Sequence, residues 1–158
     1  MYGACTAAYR IQARAFKGFG MTALSAEQVQ ALIRFGVPMA EDIDLCIDRL
    51  DADSAYARVP FQAKLVRPGG TVSGPTIMAL ADAAMYAVVL GRLGKVEMAV
   101  TANLNINFLS KPKPVDLIAH AQILKLSRRQ AVCEVSLYSA GDDDNLVAHV
   151  TGTYALPL

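Results

Sequence analysis

The sequence contains no tryptophan, few other aromatic residues and almost no net charge. Aromatic residues make up 7% of the 158 positions, charged residues make up 18%, and the formal net charge is +1 at pH 7. Because the charged side chains are spread along the chain, they form no basic face of the kind that selects nucleic acid or an anionic membrane. Neither is therefore expected as a partner.

Cysteine and histidine are also scarce, and their spacing does not match a metal site. The chain has three cysteines, Cys5, Cys46 and Cys133. Their odd number and wide separation favour reduced thiols in the cytoplasm over a disulfide framework. His120 and His149 lie in strand-like segments without a nearby acid or cysteine pattern, which argues against a catalytic or metal-binding role. We therefore expect a cytoplasmic protein without a bound metal.

Long hydrophobic runs are limited to one stretch in the middle of the chain. That run is interrupted by Asp82 and is rich in alanine and glycine, which argues against a membrane span. The length fits one domain with one core. We predict a flexible extension over residues 1–20, which lacks the apolar core and cleavage site of a signal peptide. A single domain is predicted over residues 21–158, and Met21 is an alternative start.

The segments on either side of the run predict the remaining elements. A capping box that begins at Ser25 predicts a short helix up to Gly36. Alternating apolar residues predict one strand over residues 43–48 and a second over 55–66, with an edge or bulge at Pro60. Four further strands are predicted, over residues 96–109, 116–126, 130–140 and 146–156. The turns between these four are polar and of hairpin length, which predicts an antiparallel meander.

The hydrophobic run itself predicts a long central helix with one charged side chain. Pro75 suits the first helical position, which makes Gly74 the cap and predicts a helix over residues 75–90. Both faces of this helix are apolar, and such a helix is normally enclosed by protein. Asp82 in its middle must therefore be paired, hydrogen-bonded or used in function.

The order of elements resembles the hotdog fold, an α+β fold in which an antiparallel sheet wraps one long central helix and pairs with a second copy. Residues 21–158 more specifically resemble the PaaI-type acyl-CoA thioesterases. That family has a His-Gly-Gly turn, an acidic residue nine positions after the His, and a strand of the type Asn-hydrophobic-x-aromatic. The corresponding residues are Ser73-Gly74-Pro75, Asp82 and Asn105-Ile106-Asn107-Phe108. Ser73 replaces the usual His, and Arg67 stands where several members have Asn or Gln.

The resemblance implies hydrolysis of an acyl-CoA, or of a related acyl or aryl thioester, without a metal or organic cofactor. The Gly74 backbone N–H would stabilise the oxyanion, and Asp82 would act as general base or as nucleophile. Thr101 falls where the family has Ser or Thr, and it would hold the water or orient Asp82. Because Gly74 and Asp82 lie about 12 Å apart along one helix, we expect each site to combine residues from two subunits.

Further residues are candidates for binding the substrate. Arg67, Ser73 and Pro75 are expected near the thioester, Tyr86 and Phe108 in an acyl pocket, and Lys125, Arg128 and Arg129 at the CoA phosphates. Core packing is the alternative for the two aromatic residues, and a solvated charge is the alternative for the cations. The expected partners are the acyl-CoA and further copies of the chain, as a dimer or a dimer of dimers.

Two other classes of hotdog protein compete with this interpretation. In a non-catalytic acyl-CoA-binding protein, Asp82 would be structural. A hotdog dehydratase is disfavoured, because those enzymes rely on a catalytic His that this helix lacks.

Overall fold

The computed structural model describes residues 22–157, so the predicted extension over residues 1–20 lies outside the described part of the chain. The described helices are α1 (Ala26–Gly36), α2 (Pro38–Asp42) and α3 (Gly74–Leu93), with one turn of 3-10 helix at Ala63–Leu65. The strands are β1 (Cys46–Leu50), β2 (Ser54–Val59), β3 (Val66–Arg67), β4 (Thr71–Val72), β5 (Val100–Phe108), β6 (Leu117–Leu126), β7 (Gln130–Ser139) and β8 (Leu146–Ala155).

Six strands form one antiparallel sheet in the order β1-β2-β6-β7-β8-β5, and β3 and β4 form a separate small hairpin. The central strands β7 and β8 largely alternate between buried and more exposed positions, as a sheet with one covered face requires, whereas β5 has no buried position. In β7, for example, Ala131, Cys133, Val135 and Leu137 are fully buried. The covered face packs against α3, which contacts β2, β6, β7 and β8. This confirms the predicted hotdog arrangement of one sheet around one helix.

Helix α3 is apolar on all sides because the chain surrounds most of it. By length and composition alone it could cross a membrane, but 61% of its most apolar window is buried inside the protein. A core helix of a soluble protein has the same composition for the same reason. Gly91 is tolerated within the helix because the Leu50 side chain packs against it, 3.2 Å from where a Cβ would lie.

The ends of α3 differ from the prediction at both termini. Ser73, not Gly74, is the N-cap, because Ser73 has extended dihedral angles and Gly74 is the first helical residue. The predicted cap at Gly74 is therefore wrong by one position. At the other end the helix continues past residue 90 to Leu93, and Gly94 ends it with a φ of 85° that favours glycine.

The two predicted N-terminal strands are shorter than expected, whereas the capping box at Ser25 is confirmed. The first strand begins only at Cys46, because the short helix α2 and the left-handed φ of 54° at Asp44 precede it. The second ends at Val59, since Pro60 has no N–H with which to continue the ladder.

Cys133 is a buried free thiol, but Cys46 is disulfide-bonded, so the expectation of reduced thiols is wrong for Cys46.

The predicted meander is correct for β6, β7 and β8 but wrong for β5. β5 pairs with β8 at the far edge of the sheet. The segment after it runs past the ends of β8 and β7, where Ser110 Oγ donates to Leu146 O at 2.7 Å and Lys113 N donates to Ser139 Oγ at 2.9 Å. Its two prolines, Pro112 and Pro114, lack the N–H groups that a hairpin ladder would need. This connection places β5 beside the middle of α3.

Candidate active site

Asp82 is held by two hydroxyl groups that come from neighbouring strands. Thr101 Oγ1, near the start of β5, donates to Asp82 Oδ1 at 2.7 Å. Tyr154 OH, near the end of β8, donates to the same oxygen at 2.9 Å and lies 3.3 Å from the Asp82 backbone oxygen. Thr101 and Tyr154 are register partners in the sheet, so the β5–β8 ladder sets both donors. Asp82 Oδ2 has no hydrogen-bond partner among residues 22–157.

Tyr154 is one of the two groups that fix the carboxylate, and it was not predicted from the sequence. Its side chain is only 3% exposed, and its ring stacks on that of Tyr86 with centroids 5.7 Å apart. Burial, together with the nearby Asp82 carboxylate, raises the pKa of Tyr154, so the phenol stays protonated and remains a donor. The available signal was the alternation of buried positions along β8. Ala148, Val150 and Gly152 lie on the buried face, and Tyr154 continues that series.

A cleft lies between α3 and the two N-terminal helices, with Asp82 on its wall. Its other lining residues are mainly apolar and include Ile33, Val37, Met39, Ala79, Ala83 and Tyr86. The Tyr86 hydroxyl donates to the Glu97 carbonyl at 3.1 Å, which leaves the apolar ring at the cleft. The predicted pocket role of Tyr86 is thus compatible with its position next to Asp82.

The first turn of α3 forms a second group of predicted site residues. The Gly74 N–H belongs to the helix-terminal donors that lack an intrahelical acceptor, and no other acceptor for it occurs among residues 22–157. A Cβ at Gly74 would lie 3.6 Å from the Phe108 ring, so Phe108 lies beside the helix start. Pro75 is exposed, and the Ser73 hydroxyl forms a hydrogen bond with Thr76 Oγ1 at 2.9 Å.

The predicted cationic residues lie in two separate places. Arg67 is exposed in the β3–β4 hairpin that leads to α3. Lys125, Arg128 and Arg129 are exposed around the β6–β7 turn. Next to that turn, Leu126 pairs with Ala131 of β7, which pairs in turn with Tyr154 of β8. Because Tyr154 contacts Asp82, the turn lies at the same end of the sheet as Asp82.

The two histidines contact groups other than Asp82. The ring of His120 stacks on that of Tyr56 with centroids 4.3 Å apart, and His149 Nε2 lies 3.5 Å from a Glu134 carboxylate oxygen. Within residues 22–157 no group of three or more His, Cys, Asp or Glu side chains could hold a metal ion.

The arrangement therefore has the parts of an acyl-transfer site in two halves. One half is a carboxylate with a fixed orientation and a free oxygen beside an apolar cleft, which suits a general base or a nucleophile. The other half is a free N–H at the positive end of a long helix, which suits a developing oxyanion. Both halves border β5, because Thr101 contacts Asp82 and Phe108 lies beside Gly74.

Comparisons with known proteins identify the family. A family model of the thioesterase superfamily matches residues 69–145. A Saccharolobus solfataricus protein, provisionally named an esterase, is 30% identical over 115 residues, which cover 72% of this chain and 74% of that protein. A crystal structure of a provisionally named thioesterase from a Silicibacter species is 37% identical, with a TM-score of 0.79 over 91% of this chain and 99% of that one.

A more distant structure supports the fold alone. A thioesterase from Haemophilus influenzae is 17% identical, with a TM-score of 0.76 over 89% of this chain and 95% of that one. The hotdog fold that the sequence predicted is thus shared with solved thioesterases. The reaction class that these relatives support is thioester hydrolysis. The chain therefore belongs to the thioesterase superfamily.

Proposed function

We propose that the protein is a PaaI-type acyl-CoA thioesterase that uses Asp82 to hydrolyse the thioester. The observation that carries this proposal is the geometry of the Asp82 carboxylate. Two hydroxyls hold Oδ1, while Oδ2 has no partner among the described residues and lies by an apolar cleft. Because Asp82 is only half-buried, Oδ2 is open to water or to a substrate in the cleft.

The proposed reaction follows from that free oxygen. As a general base, Oδ2 takes a proton from water while the water oxygen attacks the carbonyl carbon. The negative charge then develops on the carbonyl oxygen, which the Gly74 N–H stabilises. The C–S bond breaks next, and the CoA thiolate leaves and is protonated. As a nucleophile, Oδ2 would itself attack and form an anhydride, which water then hydrolyses. Neither route needs a metal or an organic cofactor.

We further propose that Gly74 and Asp82 of one site come from different subunits. Along the single helix α3 they are about 12 Å apart, so one carbonyl does not reach both. The edge of β1 is covered by α1 side chains: Gln30 Oε1 accepts from Ile47 N of the strand, and Arg34 Nε donates to the oxygen of Leu45 just before it, both at 2.8 Å. The edge of β5 has no pairing partner among the described strands. A bare nine-residue edge favours pairing with another chain.

Pairing of two β5 edges would bring the halves together. If two copies pair antiparallel about a twofold axis, the Thr101 end of one strand lies next to the Phe108 end of the other. Asp82 of one subunit then lies near the partner subunit's Gly74. The exposed apolar residues Val100, Phe108 and Leu109, at 59%, 52% and 57% exposure, would be buried in that interface. The cations of the β6–β7 turn would remain exposed for the CoA phosphates, and Arg67 for the polar part of the substrate.

Release of free thiol from acyl-CoAs tests the proposed function. We expect turnover by the wild-type protein, and a fall in kcat of about 10²–10⁴-fold in Asp82→Asn. Asp144→Asn is the matched control, because Asp144 is exposed in the β7–β8 turn. Burial raises the pKa of the Cys133 thiol to about 12, so this thiol should contribute little to the background. If acyl-CoAs bind but none is hydrolysed, the chain is a non-catalytic acyl-CoA-binding protein.

Complementation between two inactive variants tests the shared site. A Cβ at Gly74 meets only the Phe108 ring, at an ordinary contact distance, so Gly74→Val should fold and block the approach to the N–H. Mixed dimers of Gly74→Val with Asp82→Asn would contain one intact site if the site is shared. Recovery of activity on mixing supports the arrangement. No recovery, with mixed dimers shown by mass spectrometry, would contradict it.

A further inference from the structure

We propose that the cleft between α3 and the N-terminal helices holds the acyl group, and that it selects uncharged, apolar acyl groups over those that end in a carboxylate. This inference rests on the proposed function, because a thioester carbonyl at Asp82 places the acyl chain next to the cleft. It goes further in assigning the acyl-binding surface to α1, α2 and one face of α3.

The composition of the cleft wall carries the charge preference. Apart from Asp82, the described lining residues are apolar or aromatic, and none is lysine or arginine. The nearby cation on α1, Arg34, does not line the cleft, because its side chain donates to the Leu45 carbonyl and pairs with Glu41 at 3.5 Å. A second carboxylate in this space would meet no cation among the lining residues that the structure describes, and it would lie close to the negative Asp82. Such a group would lose water without gaining a partner.

Two alanines carry the size preference. Ala79 and Ala83 are one helical turn apart on α3, so they lie on the same face of the helix, on either side of Asp82 in the sequence. Their small side chains leave room between α3 and the buried Ile33 and Ile43. Met39 lies at the cleft with 54% of its surface exposed, and a flexible methionine can adapt to chains of different length. Larger residues at 79 or 83 would shorten the cleft.

A panel of acyl-CoAs tests both preferences. With the wild-type protein we expect kcat/KM to be at least about tenfold higher for butyryl-CoA than for succinyl-CoA, which has the same number of acyl carbons. We expect Ala83→Leu to lower the ratio of kcat/KM for hexanoyl-CoA to kcat/KM for acetyl-CoA by about tenfold or more. Ala31→Leu, the same change at an exposed position on α1, should match the wild type on every substrate.

The outcomes separate this inference from the proposed function. Equal use of butyryl-CoA and succinyl-CoA, or an equal loss on all substrates in a folded Ala83→Leu protein, would overturn the assignment while hydrolysis stands. If Ala83→Leu does not fold, Ala79→Val is the replacement variant with the same expected shift toward shorter chains. If the wild type hydrolyses nothing, the proposed function fails. Titration calorimetry with butyryl-CoA and succinyl-CoA then still measures the preference, and equal affinities would overturn it.

Discussion

Removing the hydroxyls that hold Asp82 tests whether the orientation of this carboxylate matters for the reaction. Tyr154→Phe and Thr101→Val each delete one O–H donor to Asp82 Oδ1 and keep most of the side-chain volume. A hydrogen bond to a charged group contributes roughly 1.5–3 kcal/mol. Because Asp82 is only half-buried, water can replace part of each lost contact. We therefore expect the lower end of that range in either variant, which corresponds to a fall in kcat of about tenfold.

The double variant should lose more than the sum of the two single variants. With one donor left, the carboxylate still has a fixed Oδ1, but with neither donor it can rotate. Residues that share one partner typically show coupling energies of 0.5–3 kcal/mol, and we expect about 1 kcal/mol here. The assay is steady-state hydrolysis of a single acyl-CoA, with kcat and KM fitted separately for the wild type and the three variants.

Matched substitutions on the other face of the sheet serve as controls. Tyr56→Phe removes a phenol that stacks on His120, away from the central helix, and Thr151→Val removes an exposed hydroxyl on β8. Both should keep wild-type kcat. A role of these hydroxyls in orienting Asp82 is refuted if Thr101→Val and Tyr154→Phe remain folded with kcat within about twofold of the wild type. A rise in KM at unchanged kcat would instead indicate loss of uniform substrate binding.

Two further predictions concern stability. Gly152→Ala should lower the free energy of unfolding, measured in urea, by about 1–3 kcal/mol. The new Cβ would lie 2.7 Å from Met85 Sδ and 2.9 Å from the Asn103 carbonyl oxygen. The control Gly36→Ala, which has open space at its Cβ, should not be destabilising. Burial lowers the pKa of His120 in the folded state, so the unfolded chain binds the proton first as the pH falls through about 6.5. The free energy of unfolding should therefore drop as the pH falls below about 6.5, and His120→Gln should reduce that drop. An unchanged pH dependence would contradict this assignment.

Sequence patterns predicted those elements whose signals are local. The capping box at Ser25 gave the start of α1, and the polar turns gave β6, β7 and β8 within one or two residues. Patterns failed where a tertiary contact decided the outcome. Residues 43–45 alternate like a strand, yet α2 and the left-handed Asp44 precede the ladder. Leu45 is nevertheless fully buried, so the alternation reported burial correctly and the backbone conformation incorrectly.

The candidate site was predicted only as far as single residues could indicate it. Asp82 stood out because it is the only charge in the apolar helix predicted over residues 75–90, and the family resemblance pointed to Thr101. Tyr154 carried no comparable signal, since an aromatic residue in a strand is ordinary. Its role depends on the register between β5 and β8, which pairs it with Thr101. The cleft was not predicted either, because it requires α2, and a five-residue helix leaves little periodic signal.

The position of β5 connects the fold to the chemistry. A hairpin between β5 and β6 would have placed β7 and β8 on the far side of β6 from Thr101, and the register pair of Thr101 with Tyr154 would not exist. The observed connection instead passes the ends of β8 and β7 and puts β5 at the sheet edge. That edge brings two hydroxyls to one carboxylate oxygen and also leaves a strand available to a second subunit. The position of β5 at the sheet edge, which the sequence pattern did not predict, is therefore the feature on which both the orientation of Asp82 and the proposed shared site depend.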